Sequence, residues 1–243
     1  MLTQYRILLA HDAGAEARPE WAYCLYAALL RHAPPAFAGH VHAAATTPVS
    51  QYLSAERDGS LIWTVNLLGR ESEEALGGYL DAVRSVALDR ERVTLEAVHK
   101  SRRGIAEAGE LFALAEETKG SHFLRFLTPT AFKSRGEYRN FPGNRLILQS
   151  LMKRWNGCIP ECVIGEGVGL DALSEGLLCR HFHIQDRAYV VKGHEIPGFV
   201  GNLVLENHLG GFERRLADAL LVFAGFAGVG IKTALGMGGV ETS

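Results

Sequence analysis

The sequence predicts an α+β fold in which short strands and amphipathic helices alternate. Two observations support this prediction. Short apolar runs typical of strands are separated by longer segments in which apolar residues recur every three or four positions, as they do on one face of a helix. In the first half of the chain these segments occur in the order βαββαβ, which is the ferredoxin-like pattern. The second half has a similar order of elements but no sequence repeat.

The chain begins with a predicted strand at Tyr5–Leu9 and a predicted helix at Pro19–Arg31. Proline suits the first turn of a helix, and the apolar residues that follow fall on one face. A Pro-Pro pair at positions 34–35 ends this helix. The next segment, which contains His40 and His42, is therefore predicted to form a loop.

Three strands and one helix complete the first pattern. Ser72 can cap the helix, because a serine hydroxyl accepts from free N–H groups of the first turn, where Glu73 and Glu74 are also favourable. The predicted elements are strands near Pro48–Leu53 and at Leu61–Leu67 and Arg92–Val98, and a helix from Ser72 to about Leu88.

The second pattern follows a charged stretch. Lys100, Arg102 and Arg103 are predicted to form a turn-like junction, and residues 105–118 a linker. The elements predicted after it are strands at Ser121–Leu127, within His181–Val191 and at Phe199–Leu205, and helices at Asn144–Trp155 and Phe212–Phe223.

Composition excludes some classes of protein. A net charge of −2 over 243 residues does not indicate a nucleic-acid binder, so the distribution of charge matters more than its total. Polar residues interrupt the first apolar run, so no signal peptide is predicted, and no run reaches the ~20 residues of a membrane helix. Four cysteines are too few for a disulfide framework. We expect a cytoplasmic protein that does not bind membranes.

A glycine-rich segment at Phe223–Val240 is the most unusual feature. Six glycines fall within fifteen positions, where average usage would place roughly one. Such clusters indicate positive φ angles or close approach of another molecule. Exposed N–H groups in the segment could form a cradle for anions, and Lys232 adds a positive charge.

Two nucleotide-binding motifs fail in this segment. A P-loop requires lysine directly after its last glycine, but Ile231 separates Gly230 from Lys232. The dinucleotide fingerprint fails because Thr233 stands where its third glycine belongs. Both motifs also follow a strand, whereas a helix is predicted here. A nucleotide-binding enzyme is therefore disfavoured.

The segment Phe223–Gly238 resembles the C-terminal glycine-rich signature of the RAMP superfamily, in particular of the CRISPR-associated endoribonucleases of the Cas-six type. Leu127–Lys133 and Ile196–Gly201 are similar to two further family segments. The resemblance is good over residues 121–240 and weak before them. It implies two tandem ferredoxin-like (RRM-like) domains, 1–115 and 116–243, and cleavage of CRISPR precursor RNA.

The resemblance also implies catalytic residues. Family members cut RNA without a metal, typically with a histidine from the loop after the first helix, helped in some by a tyrosine and a lysine. His42 fits best, because the pair Val41-His42 resembles the family pattern, although His40 is two residues away. Tyr26 is the better tyrosine candidate and Tyr23 the weaker one.

One feature departs from the family pattern, because no lysine precedes Lys100. Arg31, Arg57, a residue of the second domain or backbone groups could replace the missing lysine.

A basic segment with interleaved aromatic residues lies in the second predicted domain. Cations bind phosphates and aromatic rings stack on unpaired bases, although a solvated surface is the alternative interpretation. The basic residues are Lys133, Arg135, Arg139, Arg145, Lys153 and Arg154. With the resemblance, the predicted RNA-binding residues are Lys133, Arg135, Arg139, Gly228, Gly230, Lys232 and Thr233.

No metal or cofactor is expected. Cys158, Cys162, Cys179, His181 and His183 are possible zinc ligands, but their spacing matches no common site. The resemblance implies CRISPR repeat RNA as the partner and leaves open other CRISPR effector subunits and a homodimer. It also leaves open a rival function, a non-catalytic RAMP-type subunit that only holds guide RNA.

Overall fold

The computed structural model describes residues 2–11, 17–44, 46–56, 60–165 and 167–243, with the side chain of His42 outside the described part. Two antiparallel sheets, each with helices on one face, make up the described structure. None of the helices in these ranges combines the length and the apolar character needed to cross a bilayer.

The first unit is a five-stranded sheet in the order β2-β3-β1-β5-β4. Its inner face packs on the helices through a core that includes Trp63, Leu25 and Leu29. The elements are β1 (Leu2–Ala10), α1 (Trp21–Arg31), α2 (Pro35–Ala43), β2 (Val49–Ala55), β3 (Leu61–Leu68), α3 (Arg70–Ala82), β4 (Ser85–Leu88) and β5 (Val93–Ile105).

The second unit is a four-stranded sheet in the order β13-β6-β12-β9, with two small hairpins beside it. Trp155 and Phe223 pack edge to face in its core, with ring centroids 5.3 Å apart. The elements are α4 (Ala108–Glu117), β6 (Ser121–Thr130), β7 (Phe132–Ser134), β8 (Glu137–Arg139), α5 (Asn144–Cys158), α6 (Leu170–Glu175), β9 (Leu177–Asp186), β10 (Tyr189–Val191), β11 (His194–Ile196), β12 (Phe199–Asn207), α7 (Gly211–Ala227) and β13 (Val240–Thr242).

Both units have ferredoxin-like topology, as predicted. In each, the first strand lies between the third and the last strand of the βαββαβ pattern, and all pairings are antiparallel. The first unit adds β4 at one edge.

Several local predictions are wrong, among them the helix end near Leu88, because α3 ends at Ala82 and Ser85–Leu88 is strand β4. The segment with His40 and His42 is the helix α2, because Pro35 occupies its first turn, where a missing N–H costs nothing. Ser72 does not cap α3; Gly69 is at that position, and the Ser72 hydroxyl donates to the Gly69 carbonyl.

The predicted charged junction is also wrong. Lys100, Arg102 and Arg103 lie in β5, and the predicted linker at 105–118 contains α4. Leu111 of α4 is fully buried in the core of the second unit. The domain boundary at residue 115 stays a prediction.

Buried polar side chains join the two units. The Gln4 amide donates to the Gly225 carbonyl (3.0 Å), and the Ser50 hydroxyl donates to the Phe226 carbonyl (2.6 Å). The C-terminal end of α7 therefore packs against the first sheet. The glycine-rich segment that follows α7 contacts α1 and β2. This contact forms a cleft between the units.

Candidate active site

The cleft has a volume of about 1090 Å³ and is formed by segments distant in sequence. Helices α1 and α2 and the connector before β2 form one side. Strand β7, helix α5, the turn between β10 and β11 and the glycine-rich segment form the other. Six basic residues and, among the described lining residues, no carboxylate face it: Arg31, Lys133, Lys153, Arg154, Lys192 and Lys232. In a protein with a net charge of −2, this concentration of positive charge favours a polyanionic ligand.

The lysines come from the second unit. Lys232 is exposed and has a left-handed backbone with φ of 55°. Lys192 precedes Gly193 in a tight turn with positive φ at both residues, and its ammonium lies 5.9 Å from the centre of the Tyr23 ring. Lysines of the second unit and residues of α1 therefore line the same cleft. Arg31 of α1 also lines it and forms an ion pair, with its guanidinium 3.1 Å from the Asp89 carboxylate.

Tyr26, one of the predicted catalytic residues, has its side chain in the cleft. It projects from α1 and is 8% exposed. Burial raises the pKa of the Tyr26 phenol to about 12. The hydroxyl is therefore neutral near pH 7 and can donate a hydrogen bond without changing its charge.

The predicted histidines both belong to α2. His40 is exposed and is not among the residues lining the cleft. The side chain of His42 lies outside the described part, but Val41 and Ala44, which flank this position, line the cleft. Arg57, a candidate replacement for the missing lysine, also lies outside the described residues.

The glycine-rich segment is largely buried, and several of its N–H groups have partners within the protein. Gly228 donates to the Ala224 carbonyl (2.8 Å), and Gly230 to the Ser150 hydroxyl (3.2 Å). These two groups do not form the predicted open anion cradle. Gly230 and Thr233 both line the cleft, and Thr233 is 3% exposed, whereas Gly228 is not among the lining residues.

The glycines are required because the segment packs closely on its own protein. Gly230 has φ of +86°, and an added Cβ would overlap the Ala131 carbonyl oxygen. We conclude that a valine at this position would disturb folding.

The basic segment divides into two parts. Lys133, Lys153 and Arg154 line the cleft, whereas Arg145 pairs with Asp171. Beyond Lys133, the β7–β8 hairpin leaves the cleft with Arg135 at its turn, and Arg139 is 2.8 Å from Glu137. Tyr138 and Phe141 are 42% and 64% exposed, so their rings are accessible for stacking.

Sequence reasoning missed Lys192, Gln149 and Ser150, which also line the cleft. The Lys-Gly pair at 192–193 is typical of a turn, but the neighbouring sequence does not indicate that this turn faces the cleft. Among the possible zinc ligands, Cys158 is buried and Cys179 exposed. Within the described ranges no three His, Cys, Asp or Glu side chains are grouped as metal ligands.

Comparison with known proteins identifies similar chains. A family model described as "CRISPR-associated endoribonuclease Cas6" matches residues 124–240. A relative of that name from Streptococcus thermophilus is 30% identical over 206 residues, 84% of each chain. One from Mycobacterium tuberculosis is 27% identical over 222 residues, 89% of this chain and 70% of the relative. A solved structure described as a Cas6 product complex is 25% identical with a TM-score of 0.80, covering 100% of this chain and 99% of that one.

Proposed function

The chain belongs to the CRISPR-associated endoribonuclease Cas6 family, and we propose that it cleaves CRISPR precursor RNA within the repeat. The reaction is a metal-independent attack by the RNA's own 2′-hydroxyl, which gives 2′,3′-cyclic phosphate and 5′-hydroxyl ends. The observation that carries the proposal is the cleft, in which six cations and no described carboxylate surround Tyr26 and one side of α2.

This reaction needs three things from the protein: a base for the 2′-hydroxyl, an acid for the departing 5′-oxygen, and groups that stabilise charge on the phosphate. His42 takes one proton-transfer role, because histidine with an unperturbed pKa of about 6.5 exists in both forms near neutral pH. His40 is the alternative. Tyr26 donates a hydrogen bond from its neutral hydroxyl, which orients a reacting group or stabilises developing charge.

Lysines of the second unit replace the family's lysine, which is missing because no lysine precedes Lys100. Lys133, Lys192 and Lys232 reach the cleft from three separate segments. Positive charge held around the phosphate stabilises the transition state more than the ground state when negative charge builds up there. Mg²⁺ prefers carboxylate oxygens, so the described lining residues support a mechanism that uses fixed protein cations.

RNA binding extends beyond the cleft onto the β7–β8 hairpin. Arg135 and Arg139 supply phosphate contacts there, and exposed Tyr138 offers a face for a base. Lys232 and Thr233 contact the strand inside the cleft, while Gly228 and Gly230 hold that segment in place. Contact with other CRISPR effector subunits, and formation of a homodimer, stay predictions.

The test is incubation of the protein with labelled CRISPR repeat RNA in EDTA. We expect one cut within the repeat, a cyclic phosphate on the upstream product, and no cut when a 2′-deoxy nucleotide stands just upstream of the cleavage position. Binding without any cut would favour the rival function, a subunit that only holds guide RNA. Cleavage of the deoxy substrate would exclude attack by the 2′-hydroxyl.

A further inference from the structure

Arg154 differs from the other cations of the cleft because it is buried. It lies on α5, lines the cleft, and is 8% exposed, whereas its neighbour Lys153 is exposed. Within the part of the chain that the structure describes, no carboxylate lies within 4.0 Å of its guanidinium. Burial lowers the pKa of this guanidinium, but an arginine remains protonated at neutral pH.

The contacts of Arg154 within the protein do not satisfy its guanidinium. Nη2 donates to the carbonyls of Thr47 and Val49 at 3.3 and 3.4 Å, which is long for N–H···O hydrogen bonds. Nε is buried and has no hydrogen-bond partner among the described residues. A buried cation without a counter-charge destabilises a fold. If Arg154 only held the connector before β2 in place, its unpaired Nε and its missing counter-charge would have no explanation.

We propose that Arg154 binds a phosphate of the RNA inside the cleft, with the guanidinium fork on two phosphate oxygens. The proposal rests on the proposed function, because it requires an RNA strand in the cleft. Arginine presents parallel N–H groups that match phosphate geometry. The same guanidinium touches the connector after α2, so the bound phosphate is held next to the helix that carries His40 and His42.

The test measures affinity for a non-cleavable 2′-deoxy repeat RNA over a range of KCl concentrations. Arg154→Met removes the charge but keeps an apolar side chain in the site. We expect roughly tenfold weaker binding or more at low salt, and a salt slope smaller by about 0.7, the value for one phosphate contact on single-stranded RNA. The melting temperature of the free protein should be unchanged or higher, because a buried uncompensated charge has been removed.

Arg70→Met is the matched control. Its side chain is 91% exposed and pairs with Glu74 outside the cleft, so this variant makes the same change in net charge. It should leave the affinity and the slope as in the wild type. The proposal is overturned if both variants have the same effect, or if folded Arg154→Met keeps the salt slope of the wild type. An unchanged salt slope together with a lower melting temperature would show that Arg154 only stabilises the fold.

Arg154→Lys keeps the test decisive if the methionine variant does not fold. Lysine retains the charge but loses the fork, so we expect the slope to be retained and the affinity to fall. Wild-type affinity in this variant would exclude the two-oxygen contact. If the wild-type protein binds and cuts RNA while both Arg154 variants behave like it, this inference alone fails. If the wild-type protein does not bind repeat RNA, the proposed function fails.

Discussion

The backbones of Gly230 and Ala131 are in direct contact, so that a Cβ atom on Gly230 would overlap the Ala131 carbonyl oxygen. The same carbonyl accepts a hydrogen bond from the N–H of Ile231 at 2.9 Å. The glycine-rich segment is therefore attached to the start of the β7–β8 hairpin. Glycine at 230 maintains the shape of the cleft from within the protein.

The first prediction is that Gly230→Ala destabilises the fold. A non-glycine residue at φ of +86° costs about 1–3 kcal/mol, and the overlap with Ala131 adds to this. Gly136→Ala is the control, because Gly136 has φ of +85° but open space around its added Cβ. Urea unfolding of both variants separates the two costs. Equal losses would mean that the overlap costs nothing.

The second prediction concerns the contact between the units. Gln51 is fully buried; its amide donates to the carbonyls of Ala22 (2.9 Å) and Ala234 (2.8 Å), and its oxygen accepts from the Trp63 indole (2.9 Å). Gln51→Leu removes these three buried hydrogen bonds, and each buried polar group that is left without a partner costs about 1–3 kcal/mol.

We expect a large fall in the urea midpoint of Gln51→Leu and a loss of RNA cleavage, because the cleft depends on this contact. Gln149→Leu, at an exposed position, is the stability control. A midpoint for Gln51→Leu equal to that of this control would show that the buried amide does not hold the units together.

Hydrophobic spacing was sufficient to predict most of the strands and helices, but not α2, β4, α4 or the full length of β5. In α2 only Phe37 and Val41 are buried apolar positions, so the helix has little periodic signal. In β5, the Lys100 ammonium donates to the carbonyls of Leu80 and Val83 at and just after the end of α3, and Arg103 stacks over the Phe226 ring at 4.8 Å. These partners are distant in sequence, and a local pattern does not reveal them.

The candidate site was predicted only in part for the same reason. Tyr26, Lys133 and Lys232 were identified from a family resemblance, and the structure places them around one cleft. Lys192 was missed because its turn reaches the cleft only after the two units pack together. Burial of Arg154 could not be predicted either, because its sequence neighbours gave it the appearance of a surface residue.

The third prediction is that the cleft lysines bind phosphates. Lys232→Met should weaken binding of the non-cleavable RNA and lower the salt slope by about 0.7. Arg215→Met, which removes an exposed charge paired with Glu116, should leave both quantities unchanged. Fluorescence anisotropy over a KCl series measures them. A wild-type slope for Lys232→Met would remove this lysine from the RNA interface.

The fourth prediction concerns Tyr26. Its hydroxyl is proposed to orient a group or stabilise charge, so Tyr26→Phe should slow cleavage by less than the loss of the catalytic histidine, at unchanged RNA affinity. Because burial raises the pKa of Tyr26 to about 12, the variant should also keep the shape of the pH–rate profile below pH ~10. Single-turnover rates between pH 6 and pH 9 would check this, and a profile that shifts in the variant would contradict a neutral phenol.

Stability at high pH gives an independent readout of the same residue. The folded pKa of Tyr26 lies above the unfolded value of ~10. Its contribution to the free energy of unfolding is therefore fully present below pH 10 and is lost as the pH rises toward 12. Urea midpoints should fall less steeply over this interval in Tyr26→Phe. The remaining loss includes contributions from the other tyrosines whose pKa values burial raises: Tyr5, Tyr52, Tyr79 and Tyr189.

The last prediction is that His42→Ala lowers the cleavage rate by roughly 10²–10⁴, the usual contribution of general acid–base catalysis, while RNA affinity stays nearly unchanged. His42 belongs to α2 between Val41 and Ala44, which line the cleft, whereas His40 is exposed outside the lining. His40→Ala is therefore the matched control and should cut at close to the wild-type rate. Single-turnover cleavage of labelled repeat RNA in EDTA measures both variants. Loss of activity in His40→Ala with normal rates in His42→Ala would assign the catalytic role to His40 instead of His42. Normal rates in both would exclude proton transfer by α2, and the base and the acid would then have to come from other residues or from the RNA.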